Sequence, residues 1–372
     1  MIDSTSNPAG IVTVQPPGSL ASALSTSLMD YRGAPTVAEF SHPDQELAAL
    51  LTGAGIYDLG WRSFLRCAGR DRVRWLNGMV TNSVKDLAEN AGCYAFVLNA
   101  QGRIQGDCNI LRRPSDPDAL WLQTDRAQLE PLTAFVRRYI IMDQVTLDLQ
   151  EQWSAIGIAG PNAESKLAAL GFEPAELSPI HTAEKSWQGH AVTVVSAYGP
   201  VTLRYELWIE SNYVLDLWNA LVNAGATPCG ANAIEHLRIV EGTPAYGVDI
   251  TDRDLPQETN QMRALNFNKG CYLGQEIVER IRSRGSVHRT FGGFTLAGDP
   301  PLPKTPILSG EKSVGELTSA ARINVPEAGE RVLALGTIRR EALEANEVLT
   351  AAGGEVTPAA LPFDFAAAAD QP

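Results

Sequence analysis

The stretch Asn268-Lys-Gly-Cys-Tyr-Leu-Gly-Gln-Glu-Ile-Val-Glu-Arg-Ile-Arg-Ser-Arg-Gly285 reads as a glycine-flanked turn feeding a helix. Ile277 and Ile281 fall on one helical face, Glu276 and Arg280 have the i,i+4 spacing of an ion pair, and Gly285 provides a stop. Cys271 comes just before that helix. Unpaired amides at a helix N-terminus stabilise a thiolate over a thiol, and the nearby Lys269 is expected to act in the same direction. Cys271 is therefore the expected functional thiol. Cys67, Cys93, Cys108 and Cys229 are read as small packed hydrophobes. Five scattered cysteines, with no C-x-x-C and no Cys/His pair at zinc spacing, indicate neither a disulfide framework nor a self-contained metal or cluster site.

Upstream of that stretch, two patterns occur twice. Ser63 to Val80 reads as a strand (Phe64, Leu65, Cys67), a turn at Ala68-Gly69, and a helix with Val73, Leu76 and Met79 on one face; Ser154 to Leu170 repeats it. Leu120-Trp121-Leu122 with a helix through Leu132, Phe135 and Val136 is echoed by Leu207-Trp208-Ile209 with a helix through Leu217, Trp218 and Leu221. The common offset of about ninety residues predicts a duplicated α+β unit. Tyr94–Leu98, a turn through Gly102, and Ile104–Leu111 predict a β-hairpin that lifts Asp107 onto a strand. After Val287, short alternating runs punctuated by Gly and Pro predict a small antiparallel barrel. The expected division is a disordered tail over 1–40, α+β lobes over 41–150 and 151–285, a barrel over 286–358, and a second disordered tail over 359–372.

The chain has 372 residues, more than one core usually organises, and a formal net charge of −13 that disfavours bulk contact with nucleic acid. Met1 to Ser19 lacks a basic segment followed by an apolar one, and no apolar run approaches a membrane span; a cytoplasmic location is expected. The basic run Arg280, Arg282, Arg284, His288 and Arg289 fits a solvated face first, and a folate tail, phosphate or acidic partner second.

Lys269-Gly270-Cys271-Tyr272 followed by Gly274-Gln275-Glu276 resembles the signature of YgfZ-type folate-binding proteins, a group that includes the mitochondrial iron–sulfur assembly factor of the same fold. Ile56-Tyr-Asp-Leu59, Leu98-Asn-Ala-Gln-Gly-Arg-Ile104, Leu237-Arg-Ile-Val-Glu-Gly242 with Tyr246-Gly247, and Gly315-Glu-Leu-Thr-Ser319 are similar to landmarks of the glycine-cleavage aminomethyltransferase (T-protein) superfamily. The resemblance implies an α+β chain built as a three-domain ring around a folate pocket. It also implies that Asp107, Glu206 and Glu241 line that pocket as acids, with Tyr246 as a wall. The ligand implied is tetrahydrofolate or a derivative.

Two functions are open within that fold. The YgfZ-type reading implies a folate-binding accessory protein for iron–sulfur enzyme assembly or repair, with radical tRNA-modifying enzymes among its partners and Cys271 as the functional thiol. The other is a tetrahydrofolate-dependent aminomethyltransferase or demethylase. Against the latter, Gly106-Asp107 keeps one acid where the transferases typically show two, and Cys271 stands where they typically carry Asp. A thiol hydrolase using Cys271 and His288 is a third reading that nothing in the spacing supports.

Overall fold

The computed structural model describes residues 20–24, 27–173, 180–285, 287–345 and 347–365. The chain opens with a helical turn, α1 (Leu20–Leu24), a hairpin of β1 (Leu28–Tyr31) and β2 (Ala34–Val37), then α2 (Pro43–Thr52) and β3 (Gly55–Asp58). The first unit follows as β4 (Arg62–Ala68), α3 (Arg72–Met79), β5 (Gly92–Leu98), β6 (Ile104–Leu111), β7 (Ala119–Asp125), α4 (Arg126–Arg137) and β8 (Thr146–Leu149). The second repeats it as β9 (Trp153–Ala159), α5 (Ala163–Ala169), β10 (His181–Trp187), β11 (His190–Ser196), β12 (Arg204–Glu210), α6 (Val214–Asn223) and β13 (Thr227–Pro228). Their sheets run β5-β6-β7-β4-β8 and β10-β11-β12-β9-β3-β13, so the four strands of each repeat hold the same order. The duplication read from the sequence is thus present in the strand topology.

Beyond α7 (Ala231–Glu241) and α8 (Gln275–Arg284), a closed six-stranded barrel is built from β14 (Arg289–Leu296), β15 (Thr305–Ser309), β16 (Lys312–Val325), β17 (Gly329–Arg339), β18 (Leu349–Ala351) and β19 (Gly354–Ala359). One core joins the three parts: Phe64 and Trp121 of the first sheet, Trp208 of the second, Leu237 of α7, and Phe291 and Leu335 of the barrel share a buried cluster. Burying that apolar area is the main force holding the ring together.

The expected boundaries differ from the structure in four places. Residues 27–40 are not a tail: β1 and β2 turn at Arg32 and Gly33, both with positive φ, and bury Tyr31, Ala34 and Val37 in the core. The Ser/Pro-rich composition obscured a two-residue turn of the kind that favours hairpins. Residues 1–19 lie outside the described residues. At the other end Phe363 is buried and its amide donates to the Val240 carbonyl (3.0 Å), so residues 359–365 are anchored on α7; residues 366–372 lie outside the described residues. Although β3 precedes the first unit in sequence, it completes the second sheet beside β9. And α8, placed with the second lobe by sequence order, packs on the hairpin of the first, as described below.

A buried charge cluster fixes α7 to the barrel. Arg238 donates to Asp249 Oδ2 (2.5 Å), the Thr243 carbonyl (2.8 Å) and Ser319 Oγ (2.7 Å), while Asp249 Oδ1 accepts from Thr318 (2.6 Å) and Ser319 (2.7 Å). Gly242 ends α7 in the left-handed conformation, and the chain then runs back through Thr243, Pro244, Ala245 and Tyr246 at the centre of the molecule.

Candidate functional site

A cavity of about 90 Å³ lies where the two sheets meet the loop after α7. Its lining includes Asp107 and Asn109 of β6, Tyr94 of β5, Glu206 of β12, Tyr246 and Arg263. It shares Arg32, Asp125, Ala245 and Tyr246 with an outer pocket of about 370 Å³ walled by Met29, Tyr31, Ala231 and Val248. Together they reach the size of small-ligand sites, roughly 300–1,000 Å³.

Strand alternation brings the acids here. Along β6, Cys108 joins the core of the first unit, so Asp107 and Asn109 face the other way. Asp107 is bonded on both oxygens, by the Tyr94 hydroxyl at Oδ2 (2.6 Å) and Gln128 Nε2 at Oδ1 (2.7 Å), and its amide donates to Gln128 Oε1 (3.0 Å). Gly106 permits this approach, since a Cβ there would lie 2.9 Å from Gln128 Oε1 and from a Leu132 methyl. A second acid before Asp107 would require the Gln128 and Leu132 side chains to shift. Burial, reinforced by the nearby Asp125, pushes the Asp107 carboxyl up, so it holds its proton to a higher pH than a surface carboxyl.

Glu206 ties the two units together. Its Oε2 accepts from Gln123 Nε2 of β7 (2.5 Å) and Trp208 Nε1 (2.8 Å), and Asn109 Nδ2 donates on to Gln123 Oε1 (3.0 Å). The other oxygen, Oε1, has no hydrogen-bond partner among the described residues. Glu241 does not line the cavity as expected. It is buried behind it, where both oxygens accept from Arg204 Nη2 (2.9 and 2.8 Å), and burial raises its pKa. Its role is to hold Arg204, which does line the cavity. Tyr246 forms a wall, with its phenol pushed up to about 12 by burial.

Asp125, Arg32, Tyr94 and Arg263 are among the cavity residues not singled out by sequence. Asp125 accepts from Arg32 (3.1 Å) and Arg62 (2.6 Å) where the cavity adjoins the outer pocket. Arg32 sits in the stretch read as a tail. Tyr94 was seen only as a strand residue. Arg263 lies in Asn260-Gln-Met-Arg-Ala264, which carries no periodic pattern and gave no signal. Its guanidinium carbon is 4.0 Å from the Tyr94 ring centroid and 3.9 Å from that of Tyr198.

The motif segment is pinned to the first unit. Lys269 Nζ donates to the carbonyls of Asn77 (2.7 Å), Val80 (2.6 Å) and Asn82 (2.7 Å), at the end of α3, and burial brings its pKa down to about 8. Tyr272 packs with Tyr94, Phe96 and Leu98, and its amide donates to Gln275 Oε1 (3.3 Å). Gly274 has φ +81°, and a Cβ there would sit 2.5 Å from the Asn99 carbonyl oxygen; reciprocally, one on Gly102 would sit 2.8 Å from Ile277 Cβ. The helix and the hairpin tip therefore meet at two glycines, Gly274 against backbone and Gly102 against the Ile277 side chain.

Three expectations for this segment are corrected. Lys269 is turned inward onto three carbonyls and is not a cation for Cys271, because the exposed ends of α3 offer it acceptors. The N-cap of α8 is Gly274, so Cys271 precedes the helix as expected but stands three residues before the cap and not at it. The ion pair on α8 is Glu279–Arg282 (3.7 Å), not Glu276–Arg280; Arg282 also lies over the Phe267 ring. Cys271 itself is exposed and is not among the residues lining the cavity, whereas Cys67, Cys93, Cys108 and Cys229 are buried. Of the basic run, Arg289 pairs with Asp254 (3.1 Å), and His288 lines a separate cleft with Arg103, away from Cys271. Among the described residues no three His, Cys, Asp or Glu side chains are grouped to hold a metal ion, and no helix is long and apolar enough to cross a membrane.

These features agree with comparisons to known proteins. The crystal structure of the glycine-cleavage aminomethyltransferase T of Bartonella henselae superposes with a TM-score of 0.80 over 91% of this chain and 94% of that one, at 17% identity, which establishes the shared fold. A chloroplastic candidate transferase of Arabidopsis thaliana is 26% identical over 84% of this chain and 72% of its own length. The aminomethyltransferase of Bacillus cytotoxicus is 24% identical over 79% of this chain and 82% of its own length. The family model described as the GCVT N-terminal domain matches residues 26–269, more than half of the sequence. With the duplicated sheets, the closing barrel and the central cavity, this match shows that the chain belongs to the GCVT family, the aminomethyltransferase superfamily.

Proposed function

We propose that this protein is a cytoplasmic, YgfZ-type accessory protein that binds a reduced folate in the central cavity and uses Cys271 toward a partner in the assembly or repair of iron–sulfur enzymes, radical tRNA-modifying enzymes among them. The pterin of a folate is flat, with N–H donors on one edge and a carbonyl on another. The unpartnered Glu206 Oε1, the buried Asp107 and the rings of Tyr94, Tyr198 and Tyr246 fit such a group. A bound reduced folate would supply a one-carbon acceptor at its reduced nitrogens.

The observation that carries the accessory reading is the separation of thiol and cavity. Cys271 is displayed to solvent on a segment locked to the first unit by Lys269 and Gly274, outside the cavity, as a thiol acting on another protein requires. An exposed cysteine alone holds no cluster, so a cluster role would take its remaining ligands from the partner.

A second reading, a tetrahydrofolate-dependent aminomethyltransferase or demethylase, is favoured by Asp107. A carboxyl with raised pKa in a ligand cavity is suited to proton transfer, and several relatives bear the aminomethyltransferase name. Purified protein is incubated with tetrahydrofolate and either a methylated amine or an aminomethylated carrier protein, and methylene-tetrahydrofolate is measured. None is expected; sustained turnover would replace the accessory reading with the transferase.

A further inference from the structure

Arg263 stands apart from the other guanidinium groups of the cavity. Arg32 and Arg62 are paired with Asp125, and Arg204 with Glu241, but Arg263 has no carboxylate within ion-pair distance among the described residues. Its Nε donates to Gln261 Oε1 (3.1 Å), which leaves four N–H groups on the terminal nitrogens. The guanidinium carbon lies over both the Tyr94 and the Tyr198 rings, at 4.0 and 3.9 Å from their centroids, and the planar fork directs its donors edgewise. Burial lowers its pKa, the mark of a cation whose solvation has not been replaced.

We propose that Arg263 is a specificity-determining residue that donates to the 4-oxo carbonyl of the bound pterin, while Glu206 accepts from the N–H groups of the opposite edge; this rests on the folate reading above. The pairing follows donor–acceptor chemistry. Guanidinium N–H donors match a ring carbonyl on a fused heterocycle, as arginine matches the O6 of guanine, and a pterin presents O4 as the acceptor that reduced and oxidised folates share. Location selects the ring over the glutamate tail. Arg263 stacks on Tyr94, whose hydroxyl bonds Asp107 in the inner cavity, whereas the way out passes Arg32 and Tyr246 into the outer pocket.

Folic acid and aminopterin probe the contact, because the second replaces the 4-oxo acceptor with an amino donor, and the change in their ratio on Arg263→Met separates it from the altered N–H edge that faces Glu206. Binding of both to the full chain is measured by calorimetry, together with tetrahydrofolate and the tail-less 6-methyltetrahydropterin. Wild type should prefer folic acid by about tenfold or more, the worth of one charge-assisted hydrogen bond. Arg263→Met should weaken the 4-oxo ligands by a similar factor, including the tail-less pterin, and bring the ratio near one. If Arg263→Met does not fold, the wild-type ratio alone decides. Equal wild-type affinity for folic acid and aminopterin would overturn the proposal, as would an Arg263 effect confined to ligands that carry the glutamate tail. No binding of any folate or pterin by wild type would instead defeat the folate reading itself.

Discussion

Gly270 and Gly274 belong to one motif, yet alanine should behave oppositely at the two. At Gly274 the backbone has φ +81°, where a residue with a Cβ costs about 1–2 kcal/mol. The added Cβ would also lie 2.5 Å from the Asn99 carbonyl oxygen, 3.1 Å from Leu98 Cβ and 3.2 Å from Gly102 Cα, mostly backbone that cannot swing aside. Overpacking of this kind costs about 1–3 kcal/mol, so Gly274→Ala should weaken the seating of α8 on the hairpin by about 2–5 kcal/mol. At Gly270 a Cβ would meet nothing within 4 Å and φ lies outside the left-handed region, so Gly270→Ala should stay within about 0.5 kcal/mol. A chain of several packed parts need not unfold in one step, so the assay is local: hydrogen exchange of the α8 amides. Protection should fall by about thirtyfold or more in Gly274→Ala, at about 1.4 kcal/mol per factor of ten, and hold in Gly270→Ala. Equal protection in the two variants would refute the reasoning.

Three further outcomes are expected. Burial lifts the Asp58 carboxyl from 3.8 to about 6, so the folded chain holds this proton longer than the unfolded one; its stabilising effect is complete below about pH 4 and is lost as pH rises through about 6, costing about 2–3 kcal/mol. Asp58→Asn should therefore flatten the fall in denaturation midpoint between those pH values and be the more stable form at neutral pH. Burial pushes the Cys67 and Cys93 thiols up to about 12, and those of Cys108 and Cys229 up as well, while Cys271 is exposed. A maleimide should thus add one rapid equivalent to the native chain, absent in Cys271→Ser. Arg238→Met leaves Asp249 buried without its cation and should destabilise by about 3–5 kcal/mol, read by the denaturant midpoint.

The parts legible in the sequence are those written in periodicity. The duplicated strand–helix patterns, the Tyr94–Leu111 hairpin and the barrel runs each specify a local element, and the strand alternation that sends Cys108 into the core sends Asp107 into the cavity. Placement between elements was less legible. Whether Glu206 met solvent or a ligand depended on Gln123, more than eighty residues away. Glu241 fell behind the cavity because Arg204, on another strand, claims both its oxygens. The reach of Lys269 into α3 and the stacking of Arg263 on Tyr94 and Tyr198 are contacts among irregular segments, where neither period operates. Composition misled at both ends, since a two-residue turn and one anchoring Phe363 were enough to order stretches rich in Ser, Ala and Pro.

Calorimetric titration of tetrahydrofolate into the wild type, Glu206→Gln and Cys271→Ser tests most directly whether this cavity is the folate site. In Glu206→Gln the amide oxygen keeps the bonds from Gln123 and Trp208, which turns an NH₂ toward the ligand's own donors. Binding should weaken tenfold or more in that variant, by about 1.4 kcal/mol or more, and be unchanged in Cys271→Ser. Equal affinity in the wild type and Glu206→Gln, or loss of binding in Cys271→Ser, would contradict the assignment.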